Sequence, residues 1–405
     1  MLPGRAPRPL SRSCKVEFAM TQPDVDVAIL GGGIAGLWLL ARLKVAGYSA
    51  LLIESGALGA GQSLASQGII HGGLKYAIDL KLGQDSAALA DMPARWRACL
   101  AGHGEIDLRA AKLAADRHLF WARRTLTSRI AGFFGSKLVR GRVEALSSQD
   151  WPAALQDPDH VGAVYALDEC VLDVPVLLNV LADLGDGSVK QGRAMLQLEA
   201  DHVRLQLEDG RRVTAGHLIA TAGAGNEALL SQLGLPPQAA QRRPLQMLLV
   251  ENAPAPLWAH CFDTSDKPRV TITTHRRGDG AIIWYVGGML AEAGVTQSEA
   301  DLIATAQQEF AVLLPRLDFS RCRFAGYRVD RAEGATTDGR KPEGPVLRRV
   351  GRVALAWPTK LALAPQLADM IMADLPPPTL RPQPQWPDWA VPALAPAPWE
   401  TASWK

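Results

Sequence analysis

The sequence predicts an α/β nucleotide-binding domain of the Rossmann-like type joined to an α+β domain built on an antiparallel sheet. Three observations predict it. A strand rich in Val and Ile, Asp24 to Leu30, runs directly into Gly31-Gly32-Gly33-Ile34-Ala35-Gly36 and a helical stretch ending at Ala46, the setting in which GxGxxG binds a dinucleotide. Alternating strands at Arg269 to Thr274 and Ala281 to Val286 are joined around Gly278-Asp279-Gly280, a hairpin pattern. The length of 405 residues, with 48% hydrophobic and 21% charged residues, implies two or three domains of average globular composition. It excludes a fibrous repeat and wholesale disorder.

Each position of the first motif has a physical task. Gly31 allows the tight turn, Gly33 lets the backbone approach a pyrophosphate, and Gly36 lets the helix pack close to the strand. Ile34 and Ala35 lie at the helix N-terminus, whose positive end faces the phosphates. The next strand, Ser49 to Ile53, ends on Glu54, 18 residues after Gly36 and near the roughly 20 expected of the acid that binds an adenosine ribose. Ser55 follows in the same turn and is grouped with it. The motif alone does not separate NAD from FAD.

The next segment, Gly61 to Tyr76, is rich in glycine and small residues, with Ser63, Ser66, Gln67, Gly68, Ile70 and His71 supplying donors, acceptors and close backbone approach. In Ser66, Gly68, Ile70 and His71 it resembles the flavin-dependent D-amino-acid oxidase superfamily, in its branch with the glycerol-3-phosphate and 2-hydroxyglutarate dehydrogenases. The resemblance runs from about Asp24 to Asp374 and implies FAD as cofactor. It implies that the chain re-enters the FAD domain at Asp168 to Pro175 and the helix Val176 to Leu184, with Val189 beyond it. The hairpin Val203 to Thr214 and His217 to Asn226 then correspond to a second FAD strand, with Ala222 and Gly223 against the cofactor. Val353 to Lys360 corresponds to a last strand, with Lys360 and Leu361 beside the flavin pyrimidine, where a lysine and a helix N-terminus stabilise the reduced ring. Relatives often have a glycine-rich loop where this sequence has Pro358, Thr359 and Lys360.

The FAD-binding domain is therefore expected to be discontinuous, over 21–100, 169–240 and 325–375, with 101–168 and 241–324 forming the substrate domain. One face of the antiparallel sheet would roof the flavin with aromatic residues including Trp284 and Tyr285. Gly326-Tyr327-Arg328 resembles the family's Gly-x-Arg, whose guanidinium grips a substrate carboxylate. A planar fork suits that task, although Val329 stands where relatives often have proline. Arg331 is a second candidate, or a structural partner of Asp330 or Glu333. His71 and His275 compete as general base for an alcohol or hydroxy acid, whereas a neutral amine needs no strong base.

The expected activity is hydride transfer to flavin N5 from a C–H next to oxygen or nitrogen of a small anionic substrate: a hydroxy acid, amino acid or polyol phosphate. Oxygen, a quinone or a redox protein would reoxidise the flavin. A flavin monooxygenase and a non-catalytic FAD-binding scaffold or adaptor are the alternatives. A net charge of +2 is too small for a dedicated nucleic-acid binder. The five cysteines are odd in number and never in CxxC spacing, so no disulfide framework or metal site is expected and a cytoplasmic protein is. No run reaches the ~20 apolar residues of a membrane span, leaving at most peripheral membrane contact. Residues 1–20 read as a disordered extension. The end, 376–405, holds nine of the 28 prolines and four of the 11 tryptophans and reads as an extended strap outside both domains.

Overall fold

The computed structural model describes residues 22–73, 89–126, 143–234, 236, 239–262 and 267–405. The amino-terminal extension, Cys14, and Leu74 to Tyr76 lie outside the described residues. Val25–Leu30 is flanked in parallel by Ala50–Glu54 on one side and Arg212–Ala220 on the other. Val189–Gln191 extends the sheet beyond Ala50–Glu54, and Val353–Trp357 extends it beyond Arg212–Ala220, again in parallel. These central strands read as continuous apolar runs because both faces are covered. The helix Ile34–Val45 covers one face together with Val174–Leu184 and Ala364–Met372. Its Leu37, Trp38, Leu39 and Leu40 are fully buried, so it is apolar almost all round rather than amphipathic. Asp173 caps Val174–Leu184 by accepting from Val176 N at 3.2 Å.

Among the described residues the second sheet has eight strands, in the order Arg323–Gly334, Ala240–Glu251, Ile282–Gly287, Val270–Arg276, Ala259–Phe262, Leu119–Arg123, Val161–Leu167 and Val143–Ala145. Its pairings are antiparallel except that Ala259–Phe262 runs parallel to Leu119–Arg123. Arg323–Gly334 pairs with Ala240–Glu251 along its whole length. The expected boundary at 325 therefore cuts through a strand of the second sheet and is corrected to its end: Gly326 stays inside the ladder, and the chain leaves it only after Gly334.

Strand alternation also corrects the expected roof. Trp284 turns to the face covered by the helix Glu299–Leu313, where it meets Phe310 edge-on at 5.9 Å. Tyr285 turns to the opposite face with Met247, Ala325 and Val329. Successive strand residues cannot share a face, so only Tyr285 is on the side toward the first domain.

The carboxyl-terminal segment is extended, and it packs on both domains. The Gln383 side chain brackets the backbone of Ala50, accepting from its N–H at 3.0 Å and donating to its carbonyl at 2.9 Å. Lys190 Nζ donates to the carbonyls of Trp386 and Trp389. Leu58 exchanges backbone bonds with Ala393 and Ala395, and Lys405 does so with Phe324. Among the described residues no helix is long and apolar enough to cross a membrane.

Candidate active site

The glycine turn is built by exclusion. Gly31 has φ +108°, and a Cβ there would lie 2.7 Å from Ala222 Cα. A Cβ on Gly36 would lie 2.0 Å from the Gly31 carbonyl oxygen, so the helix starts tight against the strand that precedes it. The Thr221 hydroxyl, 3.1 Å from both the Leu30 and Gly31 carbonyls, ties the neighbouring strand to the same turn. Ile34 N donates to Ser63 Oγ at 2.9 Å, which brings the small-residue loop over the helix N-terminus.

A cleft of about 480 Å³ opens at the carboxyl ends of the parallel strands, the place where such sheets bind ligands. It gathers most of the expected cofactor residues: Gly31, Gly33, Ile34, Ala35, Glu54, Ser63, Ser66, Gln67, Ala222, Gly223, Lys360 and Leu361. Glu54 Oε2 accepts from Gly32 N at 2.6 Å and Oε1 from Gly56 N at 2.7 Å, holding the carboxylate in the cleft wall. Gln67 Nε2 donates to the carbonyls of Thr271 and Tyr285, joining the loop to the second sheet. Ser66 Oγ is buried and finds no hydrogen-bond partner among the described residues.

Four expected cofactor positions do not line the cleft. Gly36 acts through packing. Gly68, at φ +72°, is pressed against Leu172, whose N–H bonds to its carbonyl at 2.9 Å. The Ser55 hydroxyl turns to the Glu54 carboxylate, at 3.4 Å. Val189 is buried in the helix-side core and pairs with Leu52 in the sheet, because its strand lies outside Ala50–Glu54, away from the glycine turn.

The catalytic candidates separate as well. Arg328 and Arg331 both line the cleft, but an unbroken ladder puts them on opposite faces of the strand. Arg328 is half-exposed and pairs with Asp330 at 3.3 Å. Arg331 shares the face of Tyr327 and Val329, and its Nε donates to the Arg243 carbonyl at 3.2 Å; its Glu333 neighbour is held by Arg243 instead. Neither histidine lines the cleft. His71 Nδ1 lies 3.2 Å from Glu169 Oε2 in a buried cluster with His260 and His118. His275 is stacked on Trp399 at 4.0 Å, and burial pushes its pKa down to about 3, so it is far too weak a base for work near neutrality.

Several lining residues escaped the sequence reading: Gln62, Thr221, Leu245, Met247, Tyr327, Trp357 and Thr359. Gln62 Nε2 donates to the Ala332 carbonyl at 3.1 Å, a second tie between loop and sheet. The period of two along 323–334 was the signal for Tyr327 and Arg331 over Arg328. Thr359 has φ +59°, the conformation that the glycine of a glycine-rich loop takes without strain. Its hydroxyl lies 2.6 Å from the Pro358 carbonyl and 3.2 Å from that of Gly344.

A parallel sheet with a glycine turn at its cleft, roofed by a second sheet, defines a two-domain dinucleotide-dependent protein. The chain belongs to the DAO family of FAD dependent oxidoreductases, whose profile matches residues 26–361. It is 47% identical over 387 residues to the probable FAD-dependent oxidoreductase PA4991 of Pseudomonas aeruginosa, covering 94% of this chain and 98% of that one. The crystal structure of that protein superposes with a TM-score of 0.81 at 43% identity, over 93% of this chain and 97% of that one. The fold is shared with glycine oxidase from Geobacillus kaustophilus (TM-score 0.63, 17% identity, 87% and 95% covered). It is also shared with L-α-glycerophosphate oxidase from Mycoplasma pneumoniae (0.60, 12%, 92% and 99%).

The protein is an FAD-dependent oxidoreductase. Its residues fit that cofactor: the glycine turn leaves backbone open at a helix N-terminus, Glu54 lines the cleft where it would meet a ribose, and the buried Ser66 hydroxyl lines a cleft whose occupant would supply a partner.

Proposed function

We propose that the enzyme oxidises a C–H next to the nitrogen of a small amino or imino acid. The observation that carries this reading is the placement of Arg331 on the cleft side of the roof while both histidine candidates lie off the cleft. Bound FAD supplies the hydride acceptor. The chain's own residues bind and orient: Arg331, anchored through Nε, meets the carboxylate, and Met247, Leu245 and Tyr327 exclude water from the substrate side. A substrate amine arriving neutral can lose hydride without a protein base, whereas an alcohol requires its hydroxyl proton removed. Lys360 lines the same cleft at the start of the turn Leu361–Leu363, where its charge would favour the reduced flavin. Oxygen, a quinone or a redox protein takes the electrons onward.

The test is anaerobic mixing of the purified holoenzyme with amino acids, N-methyl amino acids, hydroxy acids and polyol phosphates. Loss of the flavin's visible absorbance with the first two classes is expected. Bleaching by hydroxy acids or polyol phosphates alone overturns the amine reading, as does no bleaching across the panel.

A further inference from the structure

The Pro/Trp-rich end of the chain has no part in the chemistry described so far, yet it reaches the substrate side of the cleft. It is fixed on both sides of Trp399. Ala395 N donates to the Leu58 carbonyl at 3.0 Å, and Lys405 and Phe324 exchange two backbone bonds of 2.9 Å. The Lys405 ammonium also pairs with Glu299, whose other oxygen accepts from Gly326 N at 2.7 Å. Between these anchors Pro398–Glu400 makes one tight turn that drives the Trp399 indole inward, to 5% exposure.

The indole lands on the cleft-facing side of the second sheet. It stacks on His275 and meets Tyr285 edge-on at 6.4 Å. It shares one apolar cluster with Ala65, Met247 and Val329, against which Tyr327 packs. Ala65, Met247, Val329 and Tyr327 all line the cleft. Tyr285 in turn donates its phenol to the Ala65 carbonyl at 2.9 Å, so the layer touching Trp399 also holds the loop that carries Ser63, Ser66 and Gln67.

We infer that Trp399 is a positioning residue that sets the shape of the substrate chamber, by packing on His275 and Tyr285 beside the Met247–Tyr327–Ala65 wall in the same apolar layer. The inference rests on the amine-oxidation reading for its kinetic test. The physics is that of a packed layer: removing an indole leaves a space beside Tyr285 and His275, and the layer that Tyr285 shares with flexible Met247 and with Tyr327 relaxes toward it. The chamber then changes shape without any change in the residues that touch the substrate. His275 contributes no competing charge to this layer, since burial keeps it neutral across the working range.

The experiment compares wild type, Trp399→Ala, Trp399→Leu and Trp399→Phe as holoenzymes. The expected result is retained FAD in all four and a shift of at least tenfold in the kcat/KM ratio of bulky over small amino acids in the alanine and leucine variants, with phenylalanine restoring the wild-type ratio. Iodide quenching of the FAD fluorescence should rise severalfold in the alanine and leucine variants as the wall loosens. A lower melting temperature with unchanged substrate ratio and unchanged quenching would show a strap of purely structural worth and overturn the inference. If wild type oxidises no amine, the reading of function fails on its own. The quenching comparison then decides the wall by itself, a rise supporting it and no rise overturning it. Should alanine not fold, leucine and phenylalanine carry the same comparison.

Discussion

Gly36 stands directly against Gly31: a methyl group on Gly36 would lie 2.0 Å from the Gly31 carbonyl oxygen and 2.7 Å from Thr221 Oγ1. The first obstacle is backbone and the second, the Thr221 hydroxyl, is held by the Leu30 and Gly31 carbonyls, so neither swings aside as the tip of a long side chain would. Gly36→Ala must therefore push the helix away from the strand, at about 1–3 kcal/mol or more. Because the displaced element carries the phosphate-facing N-terminus, the variant should purify with little or no flavin and a lower melting temperature. The ratio of flavin to protein absorbance checks this, and full occupancy would rule out the packing account.

Thr359 holds a β-branched residue at φ +59°, a conformation costing on the order of 1–3 kcal/mol. Two changes separate the strain from the hydroxyl. Thr359→Gly relieves the backbone and loses the contacts to Pro358 and Gly344, two effects that oppose each other. Thr359→Val keeps the strain and loses the contacts, about 1 kcal/mol. The glycine variant is thus expected to melt higher than the valine variant, and thermal melts of the two holoenzymes settle it. The reverse order would mean that this backbone carries no strain worth relieving.

Arg331→Ala is expected to raise KM for the anionic substrate about tenfold or more, since a charge-assisted contact contributes roughly 1.5–3 kcal/mol. Arg328→Ala should stay within about twofold, its guanidinium being half-exposed and already paired with Asp330. Steady-state kinetics on the best substrate of the anaerobic panel gives both numbers. Equal effects of the two changes would return Arg328 to the clamp.

These cases show what the sequence could and could not disclose. The glycine turn and Glu54 were legible because local rules fix them: a glycine at each point of backbone contact, an acid at the end of the second strand. Ala222, Gly223, Lys360 and Leu361 were legible only through the family resemblance. Trp284 was misplaced, and the sequence could not separate Arg331 from Arg328, because a motif names a segment, while the face each side chain takes depends on strand register, which became visible only with the ladder to Ala240–Glu251. Val189 lies off the cleft for a related reason, since strand order decides which strand ends border it. The meeting of Trp399 with His275 links positions far apart in the chain, and no local signal announces such a contact.

Acid stability should report on the end of the strand Ala240–Glu251 in the second sheet. Glu251 is 1% exposed and pairs with Arg277 at 2.5 Å and with Arg323. Burial alone would raise its pKa, but the hydrogen bonds from Arg323 and Arg277 overcome this and hold it below the ordinary value of 4.5. A carboxyl depressed in the folded state contributes stability that is fully present above its unfolded pKa and is lost as pH falls through the folded one. At pH 7, Glu251→Gln should therefore cost on the order of 1–3 kcal/mol, toward the lower end because Arg323 remains half-exposed. Below about pH 4.5 the wild type should lose stability faster than the glutamine variant, so that their melting temperatures converge. Melts of both proteins from pH 7 downward measure the gap, and a gap that stays constant through the acid range would show that Glu251 is not depressed by its two arginines.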